Sequence, residues 1–290
     1  MLQKISLCVK TIQDVITTET VVKYKTMREI NRKMDKRLYI ATICSSHREL
    51  LRRYKLGVEL DQFCMAANMT GEGRAAADSE IRELKEHTQS IILHAPFNEL
   101  FPAAIDPDAR ALAMRRFNEA AQIAIECGAD KMVVHSGYVP FVYFKEWHLD
   151  RSVEFWEEFM ADKPENFMIA IENVLDDDPY MMAEMMSRIT NPNRRLCLDA
   201  GHALCVSKVP VMEWLEVTAP YLGHLHIHNN DGQNDEHRDL TDGQLDMEAF
   251  LDRTAEICRQ DTTITLETRG GLKSVEWLAA KGYLSPESIR

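Results

Sequence analysis

The sequence predicts an α/β protein, a single (β/α)8 TIM barrel preceded by an N-terminal extension. Three observations carry this reading. Eight short apolar runs recur from residue 38 onward, helix-patterned stretches separate them, and a His, Asp or Glu stands in or at the end of most runs. Continuous apolar runs suit parallel strands covered on both faces, and eight of them alternating with helices close a barrel. The rival, a doubly wound open sheet, would use fewer strands and gather its ligand at one switch point.

The expected strands are LYIATIC (38–44), LGVELDQF (56–63), SIILHAPF (90–97), KMVVHSG (131–137), NFMIAIENV (166–174), RRLCLDAGH (194–202), YLGHLHIHNND (221–231) and TITLETRG (263–270). Between them lie the expected helices SSHRELLRRY, AADSEIRELKEH, PDARALAMRRFNEAAQIAIECG, SVEFWEEFM, DPYMMAEMMSRI, VPVMEWLEV, LDMEAFLDRTAEIC and LKSVEWLAAKG. Asp106 and Gly128 bracket the longest with start and stop signals. Residues 1–37 form the expected extension, in which ISLCVKT reads as a strand and VVKYKTMREINRKMDKR as a basic helix; the barrel takes 38–290. The aromatic loop GYVPFVYFKEWHLD (137–150) reads either as a pocket wall or as a packing surface for neighbouring loops or a partner subunit.

With 290 residues, 45% apolar and 28% charged, the chain is globular rather than disordered. Acidic residues outnumber basic ones 46 to 34, a formal charge of −12. This disfavours a broad nucleic-acid or anionic-membrane surface but leaves a small metal-centred phosphate site open. Residues 1–55 carry 13 basic against 5 acidic residues, a net +8, so the rest sums to −20. That basic segment is either a solvated helix or subunit contact, or a rim steering a phosphorylated substrate. Seven widely spaced cysteines without a C-x-x-C pair read as reduced thiols in a cytoplasmic protein. The start MLQKISLCVKTIQDV lacks a signal-peptide pattern, and no apolar run is long enough to cross a bilayer.

His94, His135, Glu172, Asp199, His226 and Glu267 each fall in or at the carboxyl end of a different expected strand. In a barrel those ends converge on one face, and burying so many polar groups without a partner would be expensive. A metal site answers both points. In LDAGHA, Asp199 and His202 stand three apart, near enough to serve one metal or adjacent ones. In HLHIHNNDGQNDEH, period-two alternation puts His224, His226 and His228 on one strand face, and Asp235 and His237 follow as D-x-H. Imidazoles mixed with carboxylates suit zinc, manganese or another divalent first-row metal, with too few oxygens for calcium. Cys197 reads as a packed thiol. Glu59 is placed to orient a ligand histidine. Arg269 either holds a phosphate, carboxylate or hydroxyl of a substrate or fixes a loop. Asp176–Asp178 reads as a solvated loop and helix start.

The motifs HAPF (94–97), VVHSG (133–137), AIENV (170–174), LCLDAGHA (196–203), GHLHIHNNDG (223–232), DEHRDLTDG (235–243) and LETRG (266–270), taken in order, resemble the xylose-isomerase-like TIM barrel superfamily over roughly residues 38–275. That group includes sugar and sugar-phosphate isomerases and epimerases and the endonuclease IV-type AP endonucleases (AP endonuclease family 2). The resemblance implies a metal quartet of Glu172, Asp199, His226 and Glu267, with His228 as second choice to His226. It implies that Glu172 and Glu267 exchange a proton from opposite faces of an enediolate, and that His202 contacts substrate, or metal in the endonucleases. The endonuclease pattern implies nine ligands around three zincs: His94, His135, Glu172, Asp199, His202, His226, Asp235, His237 and Glu267. Three departures count against DNA repair: IENVLDDDP where those enzymes read Leu-Glu-Asn-Thr-Ala-Gly, DAGH for Asp-Thr-Cys-His, and His226-Ile227-His228-Asn229 for His-Leu-Asn-Asp. The expectation is therefore a metal-dependent isomerase or epimerase of a small sugar or sugar phosphate, holding one to three Zn or Mn ions. A zinc-dependent phosphoesterase is the alternative, and a sensor retaining the metal shell a third reading. A homo-oligomer fits the barrel's helical exterior.

Overall fold

The computed structural model describes residues 33–129 and 131–290. Eight strands, β1 (Leu38–Ala41), β2 (Gly57–Leu60), β3 (Ile91–His94), β4 (Lys131–His135), β5 (Met168–Glu172), β6 (Arg194–Asp199), β7 (Leu222–Ile227) and β8 (Thr263–Leu266), form a closed barrel in chain order. Neighbours are parallel throughout, and β8 closes on β1 through Leu38 opposite Ile264. The barrel forms because each strand is buried on both faces. Val58, Leu60, Leu93, Val134, Ile171 and Leu198 join the large core beneath the helices, while Ile92, Val133, Ala170 and Cys197 make a smaller apolar cluster on the other face. Cys197 is thus a packed interior thiol.

Nine helices surround the barrel among the described residues: α1 (His47–Arg53), α2 (Gly71–Leu84), α3 (Pro107–Cys127), α4 (Lys145–Met160), α5 (Pro179–Arg188), α6 (Ala200–Val206), α7 (Val211–Thr218), α8 (Met247–Ile257) and α9 (Leu272–Ala280). The expected bracket on α3 holds. Asp106 accepts hydrogen bonds from the amides of Asp108 and Ala109, Pro107 takes the first turn, and Gly128 ends the helix at φ 76°. On the outer layer Phe117, Phe155, Trp156 and Phe159 lock α3 to α4 in tilted and edge-to-face contacts 5.0–6.4 Å apart. Each such buried side chain contributes about 1.5–3 kcal/mol.

All eight strands end two to four residues before the expected runs do, and two boundaries have particular causes. Strand β6 stops at Asp199, and Ala200–Val206 is helix, because the Asp199 carboxylate caps the chain by accepting from the His202 amide at 2.7 Å. Helix α4 starts at Lys145, inside the expected aromatic loop, because His148, Leu149, Ser152, Phe155, Trp156 and Phe159 give it a buried face at helical spacing. Helix α2 begins at Gly71 rather than Ala76. The expected ISLCVKT strand and most of the basic helix lie outside the described residues. Just after them, Met34 is buried and donates its amide to Tyr283 O at 2.8 Å, and Asp35 accepts from the Ser285 amide at 2.6 Å. No helix among the described residues is long and apolar enough to cross a membrane.

Candidate metal centre

Six strands deliver a polar side chain to the carboxyl end of the barrel: His94 ends β3, His135 ends β4, Glu172 ends β5, Asp199 ends β6, His226 lies on β7 and Glu267 follows β8. The loop after β7 adds His228, Asp235 and His237, and α6 adds His202. All nine residues implied by the endonuclease pattern come together and, with His228 as a tenth, fall into three adjoining groups. His94, His135 and Glu172 form one; Glu172, Asp199, His226 and Glu267 form the second; His202, His228, Asp235 and His237 form the third. Within each group the potential ligand atoms lie within 4.8 Å of one another. Glu172 belongs to two groups. Its Oε2 is 3.3 Å from His94 Nε2 and 3.4 Å from His135 Nε2, and its Oε1 is 3.0 Å from His226 Nδ1. His226 Nδ1 is also 3.3 Å from Glu267 Oε1 and 3.8 Å from Asp199 Oδ2.

The donor set fits a divalent cation. Asp199 is fully buried, and its Oδ2 faces His226 and His202 with no hydrogen-bond partner. A buried carboxylate oxygen without a donor is costly, and a cation held by this quartet would satisfy it. His228 offers a second such observation: it is fully buried, neither ring nitrogen makes a hydrogen bond, and Nε2 stands 3.2 Å from Asp199 Oδ1 and 3.6 Å from Asp235 Oδ1. His226 lies in the central quartet and His228 in the third group. A Cβ on Gly201 would lie 2.1–2.4 Å from the His228 ring, which explains the glycine of the DAGH motif.

Supporting bonds hold these groups in place. Asn173 Nδ2 donates to Asp199 O at 3.1 Å while Asn173 Oδ1 accepts from the Asp199 amide at 2.8 Å. His202 Nδ1 lies 3.1 Å from Asn173 O, and His237 Nδ1 lies 2.7 Å from Glu267 O. His237 holds φ 49°, a left-handed backbone that turns its ring over His228, stacked at 4.0 Å. His135 stacks on Phe97 at 4.2 Å.

The charges are strongly coupled. Burial alone would raise Glu172, but His226 and His135 beside it hold its carboxyl well below the usual range. Burial pushes Glu267 up to about 8, with Glu172 and Asp199 adding to the rise against the pull of His226. Asp199, despite burial, is brought to about 2 by His202 and His228. Burial drives His135 down to about 3, whereas His237 rises to about 9 against burial because Asp235 and Glu267 face it.

The groups open into a cavity of about 540 Å³, lined by the His94, His135, Glu172, His202, Asp235, His237 and Glu267 side chains together with Thr42, Ile43, Asp61, Gln62, Cys64, Glu80, Phe97 and Val174. None of the described residues lining it is Lys or Arg. Arg269 is exposed and does not line the cavity; its backbone ties the His237 loop to Ser45. The aromatic loop is not a wall either: Phe141, Val142 and Phe144 point to solvent. No periodic signal marks Thr42, Gln62 or Phe97 in the sequence, because they sit in the segments that follow the strands.

The run Asp176–Asp178 is not uniformly solvated. Asp178 caps α5 by accepting from the Tyr180 amide, and Asp177 pairs with Lys145 at 3.1 Å. Asp176 is fully buried, accepting from Ser136 Oγ at 2.6 Å and the Val174 amide at 3.2 Å, with Oδ1 unpartnered. Burial pushes its carboxyl up to about 7 from an ordinary 3.8. A carboxyl raised in the fold favours folding below its unfolded value and loses that contribution as pH rises through the folded one. Asp176→Asn is therefore expected to gain stability over the wild type as pH rises from about 4 to about 7, by at most on the order of 4 kcal/mol. Thermal unfolding of both proteins across that range checks it; a constant difference would contradict it.

A closed β/α barrel whose carboxyl face gathers imidazoles and carboxylates defines the class of the protein as a TIM barrel with a candidate metal centre. The chain matches the Xylose isomerase-like TIM barrel family over residues 56–281 and belongs to it. Among curated proteins it is 28% identical over 218 residues to the uncharacterized protein MJ1311 of Methanocaldococcus jannaschii, covering 70% of this chain and 73% of that one. Among solved structures it is similar to the TTHB071 protein from Thermus thermophilus soaked with ZnCl2, at 26% identity and TM-score 0.67, over 85% of this chain and 97% of that one. It shares its fold with a D-tagatose 3-epimerase-like protein, at 23% identity and TM-score 0.68, over 84% and 96% of the two chains.

Proposed function

We propose that the protein is a divalent-metal-dependent isomerase or epimerase of a small sugar, with Glu172, Asp199, His226 and Glu267 holding the metal. The observation that supports this most is the quartet itself: two glutamates, from β5 and the end of β8, bring their carboxylates within 4.8 Å of Asp199 and His226 and line a cavity of small-molecule size. A divalent zinc or manganese ion bound there would polarise adjacent carbonyl and hydroxyl oxygens of a ketose and acidify the proton between them. Glu172 and Glu267 would take and return that proton on the two faces of the reacting carbon, through an enediolate. His202 reaches the same space and would bind a substrate hydroxyl. Reduced thiols agree with a cytoplasmic setting, since the six described cysteines are all free.

A second reading, a zinc-dependent phosphoesterase, is favoured by the two flanking groups, which a one-metal isomerase does not require. The number of ions decides the charge the pocket prefers. With one ion, the three quartet carboxylates and Asp235 leave the cavity anionic, so an unphosphorylated sugar is preferred. With three ions the carboxylate charge, to which Asp61 and Glu80 of the cavity wall also contribute, is offset, and a phosphoester becomes an acceptable ligand. A basic track for extended DNA is missing from the cavity wall among the described residues.

Metal analysis together with two substrate panels separates the readings. One ion per chain with epimerisation of a ketose supports the first. Three zincs with cleavage of abasic duplex DNA or a small phosphodiester supports the second and overturns the first. Ligand binding without turnover in either panel would leave the sensor reading.

A further inference from the structure

We propose that the buried Glu59 carboxylate, itself held in the barrel interior by a hydrogen-bond chain running from Lys131 through Thr263 and His224, keeps His226 in the tautomer presenting Nδ1 to the metal quartet. The inference rests on the metal-centre reading, and it assigns work to polar residues which that reading leaves unused.

A barrel interior is ordinarily apolar, and on one side it is so here, with Ile92, Val133 and Ala170 packed together. On the other side lie Glu59 and His224, fully buried, neither belonging to the central quartet. They are joined in series. Lys131 Nζ donates to Thr263 Oγ1 at 2.5 Å and to Gly223 O at 2.8 Å. Thr263 Oγ1 lies 2.6 Å from His224 Nδ1, His224 Nε2 lies 3.0 Å from Glu59 Oε2, and Glu59 Oε1 lies 3.1 Å from His226 Nε2.

The direction of the chain follows from what each group can do. An ammonium only donates and a carboxylate only accepts. The Thr263 oxygen accepts from Lys131, and its hydrogen has two acceptors in reach, His224 Nδ1 at 2.6 Å and Gly223 O at 3.3 Å; the other end of the chain decides, because the Glu59 carboxylate can only accept from His224 Nε2. His224 therefore carries its hydrogen on Nε2 and donates to Glu59. Glu59 accepts in addition from Thr265 Oγ1 at 2.5 Å and, through its other oxygen, from His226 Nε2. With Nε2 committed as a donor, His226 turns the Nδ1 lone pair toward Glu172, Asp199 and Glu267. The anchor, Lys131, opens β4 at the opposite end of that strand from His135 and holds the Thr263–His224 end of the chain, while the Glu59 carboxylate by itself fixes the hydrogen of His226 on Nε2. Lys131, Thr263, His224 and Glu59 are positioning residues.

The test uses the full chain carrying isotope-labelled histidine, loaded with NMR-active cadmium. The expected results are a coupling of cadmium to His226 Nδ1, and His224 protonated on Nε2 whether or not metal is present. Glu59→Gln keeps the shape but removes the charge that fixes His226. It should mix the coordinating nitrogens and lower cadmium affinity about 10–100-fold in competition with a chelator. Lys131→Met leaves Glu59 and all candidate ligands intact, and it should leave the His226 hydrogen on Nε2 and the cadmium coupling on Nδ1. Should Glu59→Gln not fold, Lys131→Met and the wild-type spectra still decide. Cadmium bound through His226 Nε2, or His224 protonated on Nδ1 in the wild type, overturns this proposal alone. A wild-type protein that binds no cadmium overturns the metal-centre reading and this proposal with it.

Discussion

Glu267→Gln is expected to cut turnover of the ketose substrate by about 10²–10⁴-fold while the protein remains folded. The substitution keeps the size of the side chain and its ability to hydrogen-bond, but an amide neither takes nor returns a proton. Glu267 is buried, and its Oε1 lies 3.3 Å from His226 Nδ1, so removing its charge also weakens the quartet. Metal content must therefore be measured beside rate. If Glu267 carries the proton, activity per bound ion falls. If it only holds the ion, activity falls in step with occupancy and returns at saturating metal. Asp199→Asn supplies the contrast: it removes a ligand without removing either proton carrier, so its loss should be largely recovered by excess metal. Recovery of full activity in Glu267→Gln at saturating metal would remove Glu267 from the acid/base pair.

Stripping the metal is expected to abolish activity and to lower thermal stability together. The quartet packs three carboxylates, Glu172, Asp199 and Glu267, around one imidazole, and all are buried. Without a cation their repulsion is opposed mainly by the neighbouring histidines, and Asp199 Oδ2 lacks a partner. A ligand that binds only the folded state stabilises it by about 2.7 kcal/mol at one hundred times its dissociation constant. In a barrel of this size that corresponds to a rise in Tm of roughly 5–10 °C. Titration of the chelated protein with zinc or manganese, read by thermal unfolding, should show the rise. The stoichiometry at which it levels off counts the ions. A Tm indifferent to both chelator and metal would contradict a centre built on buried carboxylates.

Much of this centre could be read before the fold was known, because the barrel turns sequence position into spatial position. A His, Asp or Glu at the end of an apolar run lands on the carboxyl face, and period two along β7 orders His224, His226 and His228 into successive levels. What escaped was decided by contacts that sequence spacing does not encode. Asp199 ends a strand and starts a helix because its own carboxylate finds the His202 amide. Asp176 is turned inward to Ser136, whereas Asp177 meets Lys145 and Asp178 caps α5. Glu59 and His224 stand 165 positions apart and meet because closing the barrel puts only β8 and β1 between β7 and β2. The aromatic run of residues 137–150 misled in a simpler way: its later part carries a helix, and its exposed rings lie away from the cavity.

Solvent deuterium exchange into a panel of unphosphorylated ketoses, catalysed by protein reloaded with a counted amount of metal, tests the central claim most directly. The account predicts deuterium at the carbon beside the carbonyl, dependent on added metal and lost in Glu267→Gln. No exchange across the panel by fully loaded protein, accompanied by hydrolysis of a phosphodiester, would contradict it.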